Sequence, residues 1–417
     1  MPKTKGAPLE RVSQVEAERW LIFYPLPAGE RVAATNGRGG ERGLEKPRKA
    51  PLPASRYARC DPLPSGERVK QELPLAYARY NSPMPLPKLL ITLGDVAGIG
   101  PEVVAKAWPV LLEHCQPMVI GHPAFLPLDI PCVNPSHADL SNVRPGVVSA
   151  EAGRAAYDWL CYAIDECLAG RADGIVTCPL HKEGLHAAGV PFPGHTEILA
   201  ERCGANFQPA PLEGEGENPR PHAMLLYDDA LPLAVAHVTL HRSLRSVFDH
   251  ITPETVLDKI RLLHGILPKL TGRPARIGVA ALNPHGSDGG LFGNEEEWII
   301  APAVAAAVAE GIHAVGPIPS DAIFLPKYRS QLDGIVAMYH DQGHIAMKLL
   351  GGRRAVNITA GLPIVRTSVA HGTAYDIVGQ GIADESSLIA AVKVAARLVC
   401  QTSVGYHHFN HTGEPGA

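Results

Sequence analysis

The 417-residue sequence predicts an α/β protein with a largely parallel sheet. Two observations carry this expectation. Short apolar runs of strand length end in glycine-containing turns, and stretches with helical apolar spacing follow them. Strand alternating with helix is the pattern of parallel sheets, because each parallel return needs a crossover. An apolar content of 46% with 19% charged residues fits a globular chain with sizeable cores.

The totals also exclude several classes. Formal net charge is −4 with no long block of like charge, which argues against a nucleic-acid or membrane-surface partner. No apolar run reaches the ~18 residues that a membrane helix needs. No apolar h-region follows the N-terminal lysines, so no secretory signal is expected. The eight cysteines (Cys60, Cys115, Cys132, Cys161, Cys167, Cys178, Cys203, Cys400) are scattered and form no C-x-x-C pair. That pattern suits reduced thiols in a cytoplasmic enzyme.

Taken in order, residues 1–83 differ from the rest. Pro, Gly and Arg recur there without sustained apolar periodicity. The segment is expected to be a disordered or non-native extension, with Met84 as the natural start. From Leu89 the pattern becomes regular. Leu89 to Leu93 reads as a strand, Gly94 to Gly100 as a glycine-rich turn, and Val103 to Leu112 as a helix with Pro101 near its first turn. The turn is not the G-x-G-x-x-G dinucleotide fingerprint, and a βα turn without a ligand explains it as well. Ser149 is placed to cap a helix that runs to Leu168, with a core stripe that includes Trp159, Leu160 and Ile164. Ile175 to Thr177 is a strand.

Pro193-Gly194 then presents His195 and Thr196 at a helix start, where free N–H groups favour anions. Residues 207–222 read as a surface loop. Leu233 to Leu240 reads as a strand ending at His241. On such a strand His237 and His241 share a face but lie ~13 Å apart at ~3.3 Å per residue, so at most one of them ligates a given ion. Thr252-Pro253 opens the next helix. Arg276 to Leu282 is a strand ending in Asn283-Pro284-His285. A helix follows around Glu295 to Ala307, and Gly316 to Asp321 reads as a loop.

The densest chemistry lies between Asp333 and Gly381. His340 ends the apolar run Ile335 to Tyr339, Lys348 sits among apolar residues, Arg366 follows a Gly-Leu-Pro turn, and His371 to Thr373 form a loop. His241, His285 and His340 each stand at the C-terminal end of a predicted strand, where α/β enzymes place their sites. Three imidazoles with an open position suit a divalent metal. One histidine among nineteen would carry no such meaning. Three at equivalent places weigh as much toward a shared site as toward unrelated turns. Lys348, Asn357 and Arg366 supply two cations and an amide, a set that suits a phosphate or carboxylate. His407, His408 and His411 have no such context and read as solvated.

Six stretches, GDVAGIGPE, PFPGHTE, LNPHGSDGG, AMYHDQG, VNITAGLPIVRTS and HGTAYDIVGQGIAD, occur in this order. Together they resemble the 4-hydroxythreonine-4-phosphate dehydrogenase family of pyridoxal phosphate (vitamin B6) biosynthesis. The resemblance covers Leu89 to Cys400. It implies an isocitrate/isopropylmalate dehydrogenase-like fold, with two α/β domains and a cleft between them. Residues 84–190 and 345–410 would form the first domain, carrying the cofactor loop. Residues 191–344 would form the second, carrying the metal ligands, and 411–417 a tail. The implied reaction is NAD- or NADP-dependent oxidation of 4-phosphooxy-L-threonine, then decarboxylation to 3-amino-2-oxopropyl phosphate.

Residue by residue, the resemblance makes His241, His285 and His340 ligands of a divalent metal (Zn, Mg or Co) shared across a homodimer interface. Asp321 would lie near it. His195, Thr196, Lys348, Asn357 and Arg366 would bind the phosphorylated hydroxy acid. His371, Gly372, Thr373 and Asp376 would bind the nicotinamide cofactor, with Asp376 the candidate acid at its ribose. No residue is marked as the general base. Four departures from the family pattern bear on the substrate. Val96 stands where proline is common, and Gly286-Ser287-Asp288 follow a histidine usually followed by A-G-E. Ala370 replaces an acid before H-G-T. His344 resembles a side branch that oxidises four-carbon sugar-acid phosphates (erythronate or threonate 4-phosphate) or a ring dihydrodiol carboxylate. The retained G-H-T-E with Lys348, Asn357 and Arg366 favours a phosphorylated acyclic substrate.

Overall fold

Strands buried on both faces read as continuous apolar runs rather than alternations, and the strands of this chain do so. KLLIT and GIVA are buried along nearly their whole length. The computed structural model describes residues 85–204, 222–351 and 354–408, with 402–408 by backbone alone. The described elements begin with β1 (Lys88–Thr92), α1 (Gly100–Leu111), β2 (Gln116–Ile120), β3 (Cys132–Val133), α2 (Ala150–Leu168), β4 (Gly174–Thr177), α3 (Lys182–Ala187) and α4 (His195–Arg202). There follow β5 (Ala223–Asp228), β6 (Leu233–His237), α5 (Leu244–Val247), α6 (Pro253–Thr271), β7 (Ile277–Ala280), α7 (Ala301–Ala309), β8 (Ala314–Ile318), α8 (Ser320–Ile323) and α9 (Pro326–Arg329). Next come β9 (Gly334–Ala337), α10 (His340–Gly351), β10 (Val356–Ala360), β11 (Val365–Val369) and α11 (Ser386–His408).

Local chemistry sets the helix ends. Ser149 accepts the Ala152 N–H at 3.0 Å and caps α2. Thr252 and Thr255 exchange a reciprocal capping box at α6, with Pro253 in its first turn. Each such cap contributes about 1 kcal/mol. The stripe expected on α2 is core: Trp159 and Ile164 are fully buried.

The strands form one eleven-stranded sheet in the order β3-β2-β1-β4-β11-β10-β5-β6-β9-β7-β8. Most neighbours are parallel, while β11-β10-β5-β6 pair antiparallel. The order separates the chain. Strands from residues 84–190 and 345–410 occupy one side, strands from 191–344 occupy the other, and β10 against β5 is the seam.

Three local expectations are corrected. The strand expected to reach Leu240 ends at His237, because β9, its parallel partner, ends at Ala337 opposite it. His237 is therefore a strand residue, and His241 lies beyond the strand. Residues 316–321, expected as a loop, contribute to β8 and α8. Pro317 is tolerated there because β8 is the sheet edge and one side of it needs no ladder donors. The helix expected at 295–307 starts with a π-turn, Glu296–Ile300. The expectations for residues 1–83, Met84, residues 207–221, His411 and the 411–417 tail concern chain outside the described residues. Among the described residues no helix is long and apolar enough to cross a membrane.

Candidate active site

A cleft of ≈ 710 Å³ lies over the seam, a size typical of small-molecule sites. Its floor includes Met224 and Leu226 of β5 and Asn357 of β10. His340, His344 and Lys348 of α10 form one wall, and Ala370, His371, Ala374, Ile377 and Asp384 another. The chain thus brings together His340, Lys348, Asn357 and His371 of the sequence-predicted set. Lys348 is exposed rather than packed among its apolar neighbours, and faces the cleft.

Register explains why the histidines meet. His237 at the end of β6 is paired with Ala337 at the end of β9, and His340 opens the helix three residues further on. The His241 and His340 ring centroids lie 6.1 Å apart. Two imidazoles on one zinc ion keep their centroids roughly 5–6 Å apart, so this pair fits one divalent ion. His340 Nδ1 sits 2.7 Å from the Asp341 carboxylate, and His285 Nδ1 sits 3.1 Å from Asp288. A carboxylate on Nδ1 orients the ring and leaves Nε2 for a metal. His285 does not join the other two: among the described residues no three His, Cys, Asp or Glu side chains are grouped to hold an ion. One chain therefore brings two of the predicted donors together.

Sequence reasoning missed the roles of His237 and His344. The His344 ring stacks on His340 with centroids 3.8 Å apart, and its Nδ1 meets His237 Nε2 at 3.1 Å. Burial, and then the neighbouring imidazoles, push His237 down to about 3 and His344 down to about 4. Both rings are neutral at physiological pH. The signal was Gly343: a Cβ there would sit 2.2 Å from His237 Nε2, so only glycine lets the helix approach the ring.

The turn that carries His285 is strained. His285, Ser287 and Asp288 all have positive φ (56°, 68° and 42°), a conformation that non-glycine residues avoid. The buried Glu296 carboxylate holds the turn. It accepts the Leu282 and Asn283 backbone N–H groups at 2.8 and 2.7 Å, and the Ser287 hydroxyl donates to it. Burial opposes its charge, but these donors outweigh that and hold its pKa below the usual carboxylate value.

A second group flanks the first. Arg366 of β11 is buried, donating to Thr359 at 3.0 Å and Thr177 at 2.7 Å. Parallel pairing of β11 with β4 makes the Thr177 contact possible. Burial pushes its guanidinium down to about 10, so it stays charged. Burial, and then the Arg366 charge, lower His195 on α4 well below the ordinary histidine value. His195 and Thr196 open α4 as expected. Charge interactions of Glu197 with both Arg366 and His241 tie this group to the histidines.

Buried polar atoms without a partner occur at three predicted positions and at His237. They include Asn357 Oδ1, Arg366 Nε, His371 Nε2 and His237 Nδ1. Native proteins rarely leave such atoms unpaired, and two of these residues, Asn357 and His371, line the cleft. His371 Nδ1 donates to the Gly372 carbonyl at 3.0 Å, which leaves Nε2 as the ring atom without a partner. Thr373 accepts the Ile99 N–H, and Gly372 is exposed. Asp376 is exposed and outside the cleft lining, whereas Asp384 is part of it. Asp321 is exposed on α8.

Fold and site define an α/β protein with an inter-strand cleft that joins paired imidazoles to cationic and amide anchors. The family model for pyridoxal phosphate biosynthetic protein PdxA matches residues 113–395, and the chain belongs to this family. It is 41% identical over 338 residues to 4-hydroxythreonine-4-phosphate dehydrogenase of Beijerinckia indica, covering 75% of this chain and 96% of that one. It is 39% identical over 345 residues to D-threonate 4-phosphate dehydrogenase of Bordetella bronchiseptica, covering 76% and 94%. The crystal structure of 4-hydroxythreonine-4-phosphate dehydrogenase from Klebsiella pneumoniae superposes with a TM-score of 0.64 at 36% identity, covering 75% of this chain and 99% of that one.

Proposed function

We propose that the protein oxidises the secondary alcohol of 4-phosphooxy-L-threonine with NAD⁺ or NADP⁺, and that the β-keto acid formed loses CO₂ to give 3-amino-2-oxopropyl phosphate. The observation that carries this is the meeting of His340 and Lys348 of α10, Asn357 of β10 and the loop residue His371 in one cleft. Arg366, Lys348 and Asn357, with His195 and Thr196, grip phosphate and carboxylate. The His371 to Asp376 loop holds the dinucleotide, which would accept the hydride. Asp384 at the cleft edge takes the ribose role considered for Asp376, and its carboxylate disfavours a 2′-phosphate, so NAD⁺ is the better fit. A divalent ion (zinc, magnesium or cobalt) held by His241, His285 and His340 would polarise the substrate oxygen.

The third imidazole would come from a second copy, making the protein a homodimer. Exposed Ile345 and Leu349, one turn apart on α10, give such an interface an apolar face. The division into domains at 84–190 with 345–410 and 191–344 follows the seam of the sheet. A cytoplasmic location suits the cysteines, of which Cys115, Cys167 and Cys178 are free and buried.

A second reading is a D-threonate or erythronate 4-phosphate dehydrogenase. Ala370 and His344 favour it: both line the cleft, and a carboxylate that would balance a substrate ammonium is replaced by a methyl group. The deciding experiment follows NAD(P)H absorbance with each phosphate and each dinucleotide, with and without a chelator. Turnover of 4-phosphooxy-L-threonine supports the first reading, and turnover of the sugar-acid phosphate alone replaces it with the second. Full activity in chelator or in His285→Ala removes the metal role.

A further inference from the structure

The Gly94 to Ile99 loop contains a buried carboxylate that the reaction does not use. Asp95 is 1% exposed. Its Oδ1 accepts the Ala97 N–H at 2.9 Å, closing the loop on itself. Its Oδ2 accepts the Tyr375 hydroxyl at 2.6 Å, from a residue 280 positions away. On its other side the Tyr375 ring lies flat on His181, centroids 4.8 Å apart and planes 13° apart. Burial raises the pKa of Asp95, and the hydrogen bond from Tyr375 is the first influence that opposes it.

The contact belongs to a wider seat. The Ile99 N–H donates to the Thr373 carbonyl at 3.0 Å. A Cβ on Gly98 would come within 2.8 Å of the same oxygen, so the two loops touch backbone to backbone. Between Thr373 and Tyr375 the chain turns through Ala374 at φ 46°, a left-handed conformation that needs outside support. His371, Ala374 and Ile377, on both sides of Tyr375, line the cleft together with Ile99.

We propose that Tyr375 and Asp95 are a positioning pair, which fixes the His371 to Asp376 loop in the shape that receives the dinucleotide. The inference rests on the reading of that loop as the cofactor edge. Tyr375 touches neither substrate nor reacting atoms; its hydroxyl ties the loop to the Gly94 to Ile99 turn through Asp95. Without it, binding the dinucleotide must also order the loop.

Tyr375→Phe isolates the effect, because the ring still stacks on His181. Dinucleotide affinity is read by calorimetry on the full chain without substrate. Losing this buried hydrogen bond predicts about tenfold weaker binding. The dinucleotide KM should rise in parallel, while kcat and the KM for the phosphorylated acid stay within about twofold. Hydrogen exchange should show the 371–376 amides protected in the wild type and faster in the variant. Unchanged affinity with unchanged exchange in Tyr375→Phe overturns the pair, as does free exchange of these amides in the wild type. His371→Ala separates the two ideas. If it leaves dinucleotide affinity intact, the cofactor-edge reading fails. If it weakens affinity while Tyr375→Phe does not, that reading stands and the pair fails.

Discussion

The Ser287 hydroxyl donates to the Glu296 carboxylate across nine residues, and this bond closes the strained turn on which His285 sits. Glu296 also takes two backbone N–H groups, so one buried side chain holds a turn whose positive-φ positions run from 285 to 290. Glu296→Ala should lower stability by about 2–3 kcal/mol, as expected for loss of a charged, buried acceptor. Its carboxyl is held below the ordinary value, so its contribution is present above the unfolded-state value and is lost as pH falls through the lower folded one. Denaturant melts of wild type and Glu296→Gln between pH 7 and 3 check this; the variant should start lower and show the shallower acid slope.

The His237 and His344 pair predicts a second acid sensitivity at higher pH. Both are pushed far below 6.5 in the fold. The unfolded chain therefore binds protons first as pH drops, and metal-free protein loses stability from pH 6.5 toward about 4. Between pH 7 and 5 the loss should be about 4 kcal/mol, about 2 kcal/mol from each ring. His344→Gln should remove part of this slope, measured by urea unfolding in chelator.

Arg366 is a buried cation with its Nε unpaired. Arg366→Met should cut kcat/KM for the phosphorylated acid by roughly a hundredfold or more while leaving dinucleotide affinity intact. Arg366→Lys should rescue little, because an ammonium does not reproduce the planar fork that reaches Thr359 and Thr177. Steady-state kinetics with each substrate varied in turn would show both.

Leu349 is 81% exposed on the helix that begins with His340. Leu349→Glu should give a monomer by light scattering, with folding preserved by circular dichroism. If the metal site is shared between copies, activity and bound metal fall together in this variant. An active monomer would sever that link.

Much of the frame was legible in the chain. Strand and helix alternation was visible because buried parallel strands are apolar runs and the helices carry amphipathic stripes. Ser149 and Thr252 marked helix starts because hydroxyls satisfy free N–H groups there. The order of the motifs, with His340, Lys348, Asn357 and Arg366 among them, pointed to the family before any contact was known. By itself the sequence determined the fold class, the family and the residue types available to the site.

The tertiary structure decided which of them meet. Parallel pairing of β6 with β9 brings His237 and His241 to His340 and His344, across about a hundred residues of chain. The β11 and β4 register seats Arg366 on Thr177, and the loop contact sets Tyr375 on Asp95. The sequence also could not show that 316–321 adds to an edge strand, or that β6 stops at His237. Side-chain type and local periodicity act over a few residues, whereas strand register and loop seating come from packing between distant segments.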